Sequence, residues 1–440
     1  MRERPRSLII GGKAGEGVKK VAQVISEVLN SLGLYSFQMD DYQSLIKGGH
    51  NFSVVSFASD PVFNSYAKAE LIICFDQRSL DLHRDSLSPS GSLYYNQDGT
   101  LETEGIGLAL SSLMKETGVS NVSIAALTIF FAHYGLDQDL LYTAIRRSYK
   151  RDVEVNLLFA EKVFGLITLK GSLPVPKPDS KPGKLLSGNQ AIALGAWAAG
   201  LDFYFAYPMT PASSLLHYYA ARKDLGVYAI HAESELAAAN MAVGAVVAGA
   251  RAAVGSSGGG FALMQEAFSL AGMVEAPLLC VLSSRPGPAT GVSTYTAQED
   301  LNFALHQGHG EFCRIVASPD SFERAFTLAS ELLCLAWKFQ IPVILLTEKH
   351  LSESLTGVRL ELSKIEAADP QTPESPEDYK RYQISSDGIS PLLFPPADQI
   401  IKWNSHEHLE SGLRTDQAEA VKAMKDKRQR KRAGIAGATL

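Results

Sequence analysis

Prolines fall in two clusters, and any fold of this chain must be built around them. Pro174, Pro176, Pro178 and Pro182 lie among lysines and serines from Lys170 to Pro182, and Pro370, Pro373 and Pro376 follow Asp369. Proline lacks the N–H that ladders and helix interiors need, so both clusters read as semi-rigid linkers. A chain of 440 residues is also too long for a single core. The expected organisation is a first domain at 1–170, a Pro-rich linker at 171–186, a second domain at 187–365, and a linker with a basic C-terminal segment at 366–440.

Between the prolines, apolar runs alternate with helical periodicity. A short strand, Ser7 to Ile10, meets Gly11-Gly-Lys-Ala-Gly-Glu-Gly17. Val18, Val21, Ala22, Ile25, Val28, Leu29 and Leu32 then recur as one helix face, which Gly33 ends. Strands are expected at Phe52 to Phe57 and Leu71 to Phe75. Strand, glycine turn, helix, strand is the βαβ pattern of a parallel sheet. In the second block, Phe203 to Ala206, Val227 to Ile230, Ala252 to Gly255, Leu278 to Ser283 and Ile341 to Leu346 read as buried strands. Glu235 to Val247 and Phe261 to Val274 read as helices between them. The fold class is α/β, with two doubly wound domains.

Charge and cysteine usage exclude several functions. Forty-one basic against 47 acidic side chains give a net charge of −6, which argues against a nucleic-acid binder. The longest apolar run, Ala191 to Leu201, ends at Asp202, well short of the roughly 20 residues of a membrane span. No membrane contact and a cytoplasmic location are expected. Cys74, Cys280, Cys313 and Cys334 show no CxxC spacing, so no iron–sulfur cluster or structural metal is expected in this chain. The basic run Lys425 to Arg432 reads as a solvated helix face, with an acidic partner as the alternative.

Several motifs bear on chemistry. In the turn Gly11 to Gly17, Gly12 and Gly17 have phosphate-loop spacing, but Val18 stands where that loop requires lysine. The turn could hold an anion at the helix start or simply pack. Gly255-Ser-Ser257-Gly-Gly259 matches G-x-S-x-G between a strand and a helix, with Asp300, His306 and His309 downstream. A serine hydrolase using Ser257 is therefore one reading, although no HGG-type oxyanion segment precedes it. Tyr207-Pro208-Met-Thr210-Pro follows a strand directly, placing Thr210 where open α/β sheets bind ligands; a helix cap is compatible with that. Glu235 opens an almost purely apolar helix. It is either a dipole partner or, if buried, a group for proton exchange with a heterocycle. Arg285, held by Pro286 after a strand, can grip a carboxylate bidentately or form a surface ion pair.

Read together, Y-P-M-T-P-A-S-S, E-S-E-L-A-A-A-N, S-S-G-G-G-F-A-L-M-Q-E-A and S-R-P-G-P-A-T-G resemble, in order, the α subunit of 2-oxoacid:ferredoxin oxidoreductases. Residues 1–170 resemble that family's γ domain, fused in front of α in some members, and both G-G-K-A-G-E-G and Lys47-Gly-Gly-His50 match its glycine motifs. The resemblance implies a γ-type domain followed by a thiamine-diphosphate pyrimidine-binding domain. The implied reaction is oxidative decarboxylation of a 2-oxo acid, 2-oxoglutarate by preference, to an acyl-CoA. Coenzyme A would be co-substrate, and electrons would pass to ferredoxin or a ferredoxin-like subunit.

Within that resemblance, Glu235 matches the glutamate that hydrogen-bonds N1′ of the aminopyrimidine. Thr210 matches the threonine facing the oxo acid, and Arg285 the arginine holding its carboxylate. Pro208, Ser257 and Gly258 match further cofactor-pocket positions, and Thr294, Thr296 and Gln298 would line the specificity side. Mg2+ and diphosphate binding belong to the family's β subunit, and no G-D-G…N signature occurs here. The chain is thus expected to hold half a site and to work in a hetero-oligomer of (αβ)2 type. Family members continue into another α/β domain after a segment like Arg381 to Ser390. That domain is expected to be encoded separately, or the chain is a shortened relative that binds partners without turnover.

Overall fold

A computed structural model describes residues 4–43, 49–101, 104–168, 171–369 and 377–438. Lys47 and Gly48 of the Lys47-Gly-Gly-His50 motif, Lys170, and the prolines 370, 373 and 376 lie outside the described residues. Two compact units form: Met1–Leu186 with Ser354–Arg359, and Ser187–Glu353 with Leu360–Leu440. In chain order the first seven strands are β1 (Arg6–Lys13), β2 (Tyr35–Tyr42), β3 (His50–Ala58), β4 (Ala69–Cys74), β5 (Leu87–Asn96), β6 (Ile106–Leu108) and β7 (Lys184–Ser187). They are followed by β8 (Phe203–Ala206), β9 (Tyr228–His231), β10 (Ala252–Ser256), β11 (Leu279–Ser284), β12 (Ile315–Ala317), β13 (Val343–Glu348) and β14 (Leu355–Val358).

The first unit is a sheet in the order β6-β5-β4-β1-β3-β2-β14-β7. Strand β1 alternates, sending Leu8 and Ile10 to one face and Ile9 to the other. The first face is covered by the helix Val18–Ser31, whose Val21, Ala22, Ile25 and Leu29 are fully buried. Gly17 caps that helix at φ 78 with no side-chain bond. A Cβ there would lie 2.9 Å from Ser123 Oγ, so glycine is required twice over. The sheet is mixed, not wholly parallel: β1 runs parallel to β4 but antiparallel to β3, which is antiparallel to β2. The periodicity of the sequence misses β2 because Tyr35–Tyr42 is largely polar. Its buried Gln38 donates to Asp40 Oδ1 at 2.9 Å, and the same oxygen accepts from Ser53 Oγ at 2.6 Å, while Lys19 Nζ lies 3.4 Å from Oδ2.

The second unit is wholly parallel, in the order β12-β13-β11-β10-β8-β9. Every residue of β11 is buried, as expected for a central strand with both faces covered. The helices Gly188–Ala198 and Phe322–Phe339 cross so closely that a Cβ on Gly195 would meet the Phe326 carbonyl oxygen at 1.9 Å. The helical stretch expected over Phe261 to Val274 breaks at Met264 into Gly258–Leu263 and Gln265–Val274. The basic run is not a solvated face throughout. It lies in the helix Ala418–Ala436, and Lys427 and Lys431, one turn apart, are buried against Glu275. Among the described residues no helix is long and apolar enough to cross a membrane.

Candidate cofactor and substrate site

Four strands of the second unit deliver the candidate residues. Strand β8 runs into Tyr207 to Pro211, β9 into Glu233 to Glu235, β10 into Ser257 and Gly258, and β11 into Arg285. Their order, β11-β10-β8-β9, places the reversal of winding between β10 and β8. Ligands in open α/β sheets bind at such a reversal, beyond the carboxyl ends of the strands.

Glu235 is the first residue of the helix Glu235–Val247, whose start is capped by Ser234 Oγ accepting from the Ala237 N–H at 3.2 Å. Its side chain is 3% exposed, and Oε1 has no hydrogen-bond partner among the described residues. The room for it is made by Gly260: a Cβ there would lie 2.6 Å from both Cγ and Oε1 of Glu235, and 2.1 Å from Ser256 Oγ. Leaving a buried carboxylate oxygen unpartnered costs free energy. The arrangement therefore fits a ligand that brings an N–H donor.

Thr210 and Arg285 are joined directly. Arg285 is half-buried, and its Nη1 donates to the Thr210 carbonyl at 2.9 Å. Its remaining guanidinium nitrogens have no hydrogen-bond partner among the described residues. Burial lowers its proton affinity, and the charge of Asp300 works against that. On the other side of the loop, Asn189 Nδ2 donates to the Pro211 carbonyl at 2.9 Å and to Ser214 Oγ at 2.7 Å. Pro208 is partly buried, and Met209 Sδ accepts a weak bond from Ser256 Oγ at 3.9 Å.

The turn after β10 brings Ser257 and Gly258 alongside. Ser257 is fully buried with its Oγ unpartnered among the described residues, so no histidine activates it. Asp300 accepts from Ser284 Oγ at 2.6 Å, and His306 Nδ1 contacts the Asn302 carbonyl. Ser257, Asp300 and the histidines are not assembled as a triad, and the hydrolase reading falls. Thr294 is buried, Thr296 bonds Glu348, and Gln298 is exposed. Sequence reasoning missed Asn189, Gly260 and the bond from Ser284 to Asp300. The run Ser187-Gly-Asn189-Gln190 carried a signal, since Ser187 and Gln190 form a capping box that fixes Asn189 at the helix start.

In the first unit the glycine turn closes on itself. The Lys13 N–H donates to Glu16 Oε2 at 2.6 Å, and the Ala14 N–H to the Gly49 carbonyl at 2.9 Å. Among the described residues no three metal-binding side chains cluster, and all four cysteines are free thiols.

This geometry defines a class. Residues 194–427 match the family described as pyruvate flavodoxin/ferredoxin oxidoreductase, thiamine diphosphate-binding, and residues 7–166 match pyruvate ferredoxin/flavodoxin oxidoreductase. Together the matches make the chain an oxidoreductase subunit with a thiamine-diphosphate-binding domain. The 2-oxoacid:ferredoxin oxidoreductase subunit alpha of Sulfolobus sp is 31% identical over 97% of this chain and 78% of its own length. The 2-oxoglutarate synthase subunit KorA of Archaeoglobus fulgidus is 37% identical over 39% of this chain and 51% of its own. A solved 2-oxoglutarate:ferredoxin oxidoreductase from Magnetococcus marinus, with 2-oxoglutarate, coenzyme A and succinyl-CoA bound, superposes with a TM-score of 0.89. It shares 26% identity and covers 100% of this chain and 80% of that one. The chain belongs to the family of 2-oxoacid:ferredoxin oxidoreductase α subunits.

Proposed function

We propose that this chain forms the aminopyrimidine half of a thiamine-diphosphate site in a 2-oxoglutarate:ferredoxin oxidoreductase. The product is succinyl-CoA, and the electrons go to ferredoxin. The buried, unpartnered Oε1 of Glu235 carries this reading. When bound, thiamine diphosphate supplies the carbon nucleophile and the electron sink for decarboxylation.

This chain's own residues do the rest. Glu235 accepts a hydrogen bond from the pyrimidine ring and holds or moves a proton there. Ser257, Gly258 and Pro208 line the pocket and exclude water. Thr210 faces the oxo group, and Arg285 turns its unused nitrogens to the substrate carboxylate, a bidentate match. The diphosphate and Mg2+ are held by a second subunit, which docks on the exposed apolar face of the Glu235 helix. The choice of 2-oxoglutarate is supported by the names of KorA and of the Magnetococcus enzyme.

The test is to purify the complex through a tag on this chain and follow 2-oxoacid-dependent dye reduction with 2-oxoglutarate, pyruvate and branched-chain oxo acids. We expect 2-oxoglutarate to be preferred. Glu235→Gln should lower turnover by at least about 10²-fold, the scale of an acid–base group, and Arg285→Ala should raise KM for the oxo acid. Near-normal turnover in Glu235→Gln would remove that residue from the role.

A further inference from the structure

Between the end of β11 and the helix Leu301–Leu305, the chain makes an excursion over residues 285–300. It is tied back at its base in two places. The Gly287 N–H donates to Glu299 Oε2 at 2.9 Å, and Ser284 Oγ donates to Asp300 Oδ2 at 2.6 Å. Ser284 is 1% exposed and immediately precedes Arg285, so the second tie fixes the backbone from which Arg285 projects.

Asp300 has no other evident task. It stands at the N-cap of Leu301–Leu305, but its side chain makes no capping bond. It is outside ion-pair distance of Arg285, yet near enough for its charge to act on the guanidinium. Its carboxylate also rests on the turn after β10: a Cβ on Gly258 would lie 2.8 Å from Oδ1 and 2.9 Å from Oδ2. One side chain therefore touches the ends of two neighbouring strands, β10 and β11, that flank the substrate side of the site.

We infer that Asp300 is a positioning residue for the substrate clamp. Anchored by Ser284 and seated on Gly258, it holds Arg285 with one N–H on the Thr210 carbonyl and leaves the other nitrogens free for the oxo-acid carboxylate. The inference rests on the reading of Arg285 as that clamp. A carboxylate bonded to Arg285 directly would occupy the donors the substrate needs. One held back by a serine orients the guanidinium without spending them.

The experiment uses the complex purified through this chain, with Asp300→Ala, Asp300→Asn, Ser284→Ala and Arg285→Ala in parallel. Asp300→Ala should raise KM for the 2-oxo acid about tenfold, the scale of one hydrogen bond to a charged group, with KM for coenzyme A unmoved. Asparagine keeps an oxygen that can accept from Ser284, so Asp300→Asn should restore most of the loss. Ser284→Ala removes the same bond from the other side at the cost of one atom. It should match Asp300→Ala, and the double variant should be no worse than either.

Titration calorimetry of 2-oxoglutarate into the cofactor-depleted complex should weaken by the same factor in both single variants. If Asp300→Ala is too unstable to assay, Ser284→Ala decides. An unchanged oxo-acid KM in Asp300→Ala or Ser284→Ala, with Arg285→Ala raised, overturns the positioning role and leaves the clamp standing. Equal rises in KM for coenzyme A also overturn it. An unchanged KM in Arg285→Ala removes the clamp itself.

Discussion

Glu235 keeps its place because Gly260 has no side chain. Any Cβ at Gly260 would press on the carboxylate it now accommodates. Residues of this kind separate what a sequence discloses from what it hides. Thr210, Glu235 and Arg285 each follow an apolar strand within a few positions, so local pattern alone marks them. Asn189 acts 22 positions away on Pro211, and Asp300 acts 16 positions away on Ser284; no periodicity reports such pairs. The same holds for a histidine pair in the first unit. His50 was legible only as part of a glycine motif, yet its Nε2 lies 2.9 Å from Nε2 of His83, with Phe52 against both rings. Ser79 links His50 to Asp76, and Arg78 adds its charge nearby. Burial, and then His50, push the His83 imidazole down to about 4 from an ordinary value near 6.5. Above 6.5 the folded and unfolded chains both hold it neutral, and its stabilising share is complete. As pH falls from 6.5 towards 4, the unfolded chain takes up a proton that the folded chain refuses, so that share drains away. His83→Gln still offers a donor to His50 and does not titrate. Thermal melting across this range should therefore show the wild type losing several degrees relative to the variant. Parallel curves would discard the account.

Elements were read well where burial is apolar and poorly where it is polar. The helices Val18–Ser31 and Glu235–Val247 and the strand Phe203–Ala206 follow from spacing alone. Strand β2 and the docking of the C-terminal helix do not, because hydrogen bonds and charges replace hydrophobic surface in both. At that helix, Glu275 Oε1 bonds Lys427 Nζ at 2.7 Å, and its Oε2 lies 2.6 Å from Lys431 Nζ. Arg381 reaches in over Trp403 and donates to the Glu275 carbonyl. Burial alone would raise the Glu275 carboxyl, but Lys431, Lys427 and Arg381 outweigh it and hold it well below the usual carboxylate range. Burial pulls Lys427 down to about 8 against the pull of Glu275. One carboxylate thus balances three buried cations, and nothing in a run of lysines says which two face inward. Glu275→Gln leaves those cations uncompensated, which should cost about 3–5 kcal/mol. Hydrogen exchange should then quicken across Ala418–Ala436 while β11 stays protected. Unchanged exchange in that helix would show that its apolar contacts suffice to dock it.

At the scale of the whole molecule, the helix Glu235–Val247 is covered on one side only. Ala238, Ala239, Ala242, Val243 and Val246 face the core, while Leu236 is 56% and Met241 42% exposed. Its one charged residue is Glu235. Gly244 is exposed, with nothing within 4 Å of where its Cβ would be. Apart from Asn240, which bonds the Leu236 carbonyl, the exposed face is apolar, and a helix apolar on both sides belongs in an interior. Mid-helix glycine costs up to about 1 kcal/mol relative to alanine, and no close contact among the described residues explains it, whereas the backbone of another chain could use the space. The neighbouring helix Gly258–Leu263 adds Leu263, 55% exposed. Glu235 itself lies on the buried side with Ala238 and Ala239, so on the proposed reading a diphosphate-binding subunit would cover the exposed face that starts one residue further on, at Leu236. Leu236→Lys with Met241→Lys places charge on the face without touching the core, so the isolated chain should melt as the wild type does. The tagged variant should lose its partner subunit on purification, and 2-oxoacid-dependent reduction should fall with it. If the partner is retained in full, the docking face lies elsewhere. If instead the isolated wild type is a dimer that the double variant splits, a second copy of this chain is the occupant, and the proposed seam at Glu235 is lost.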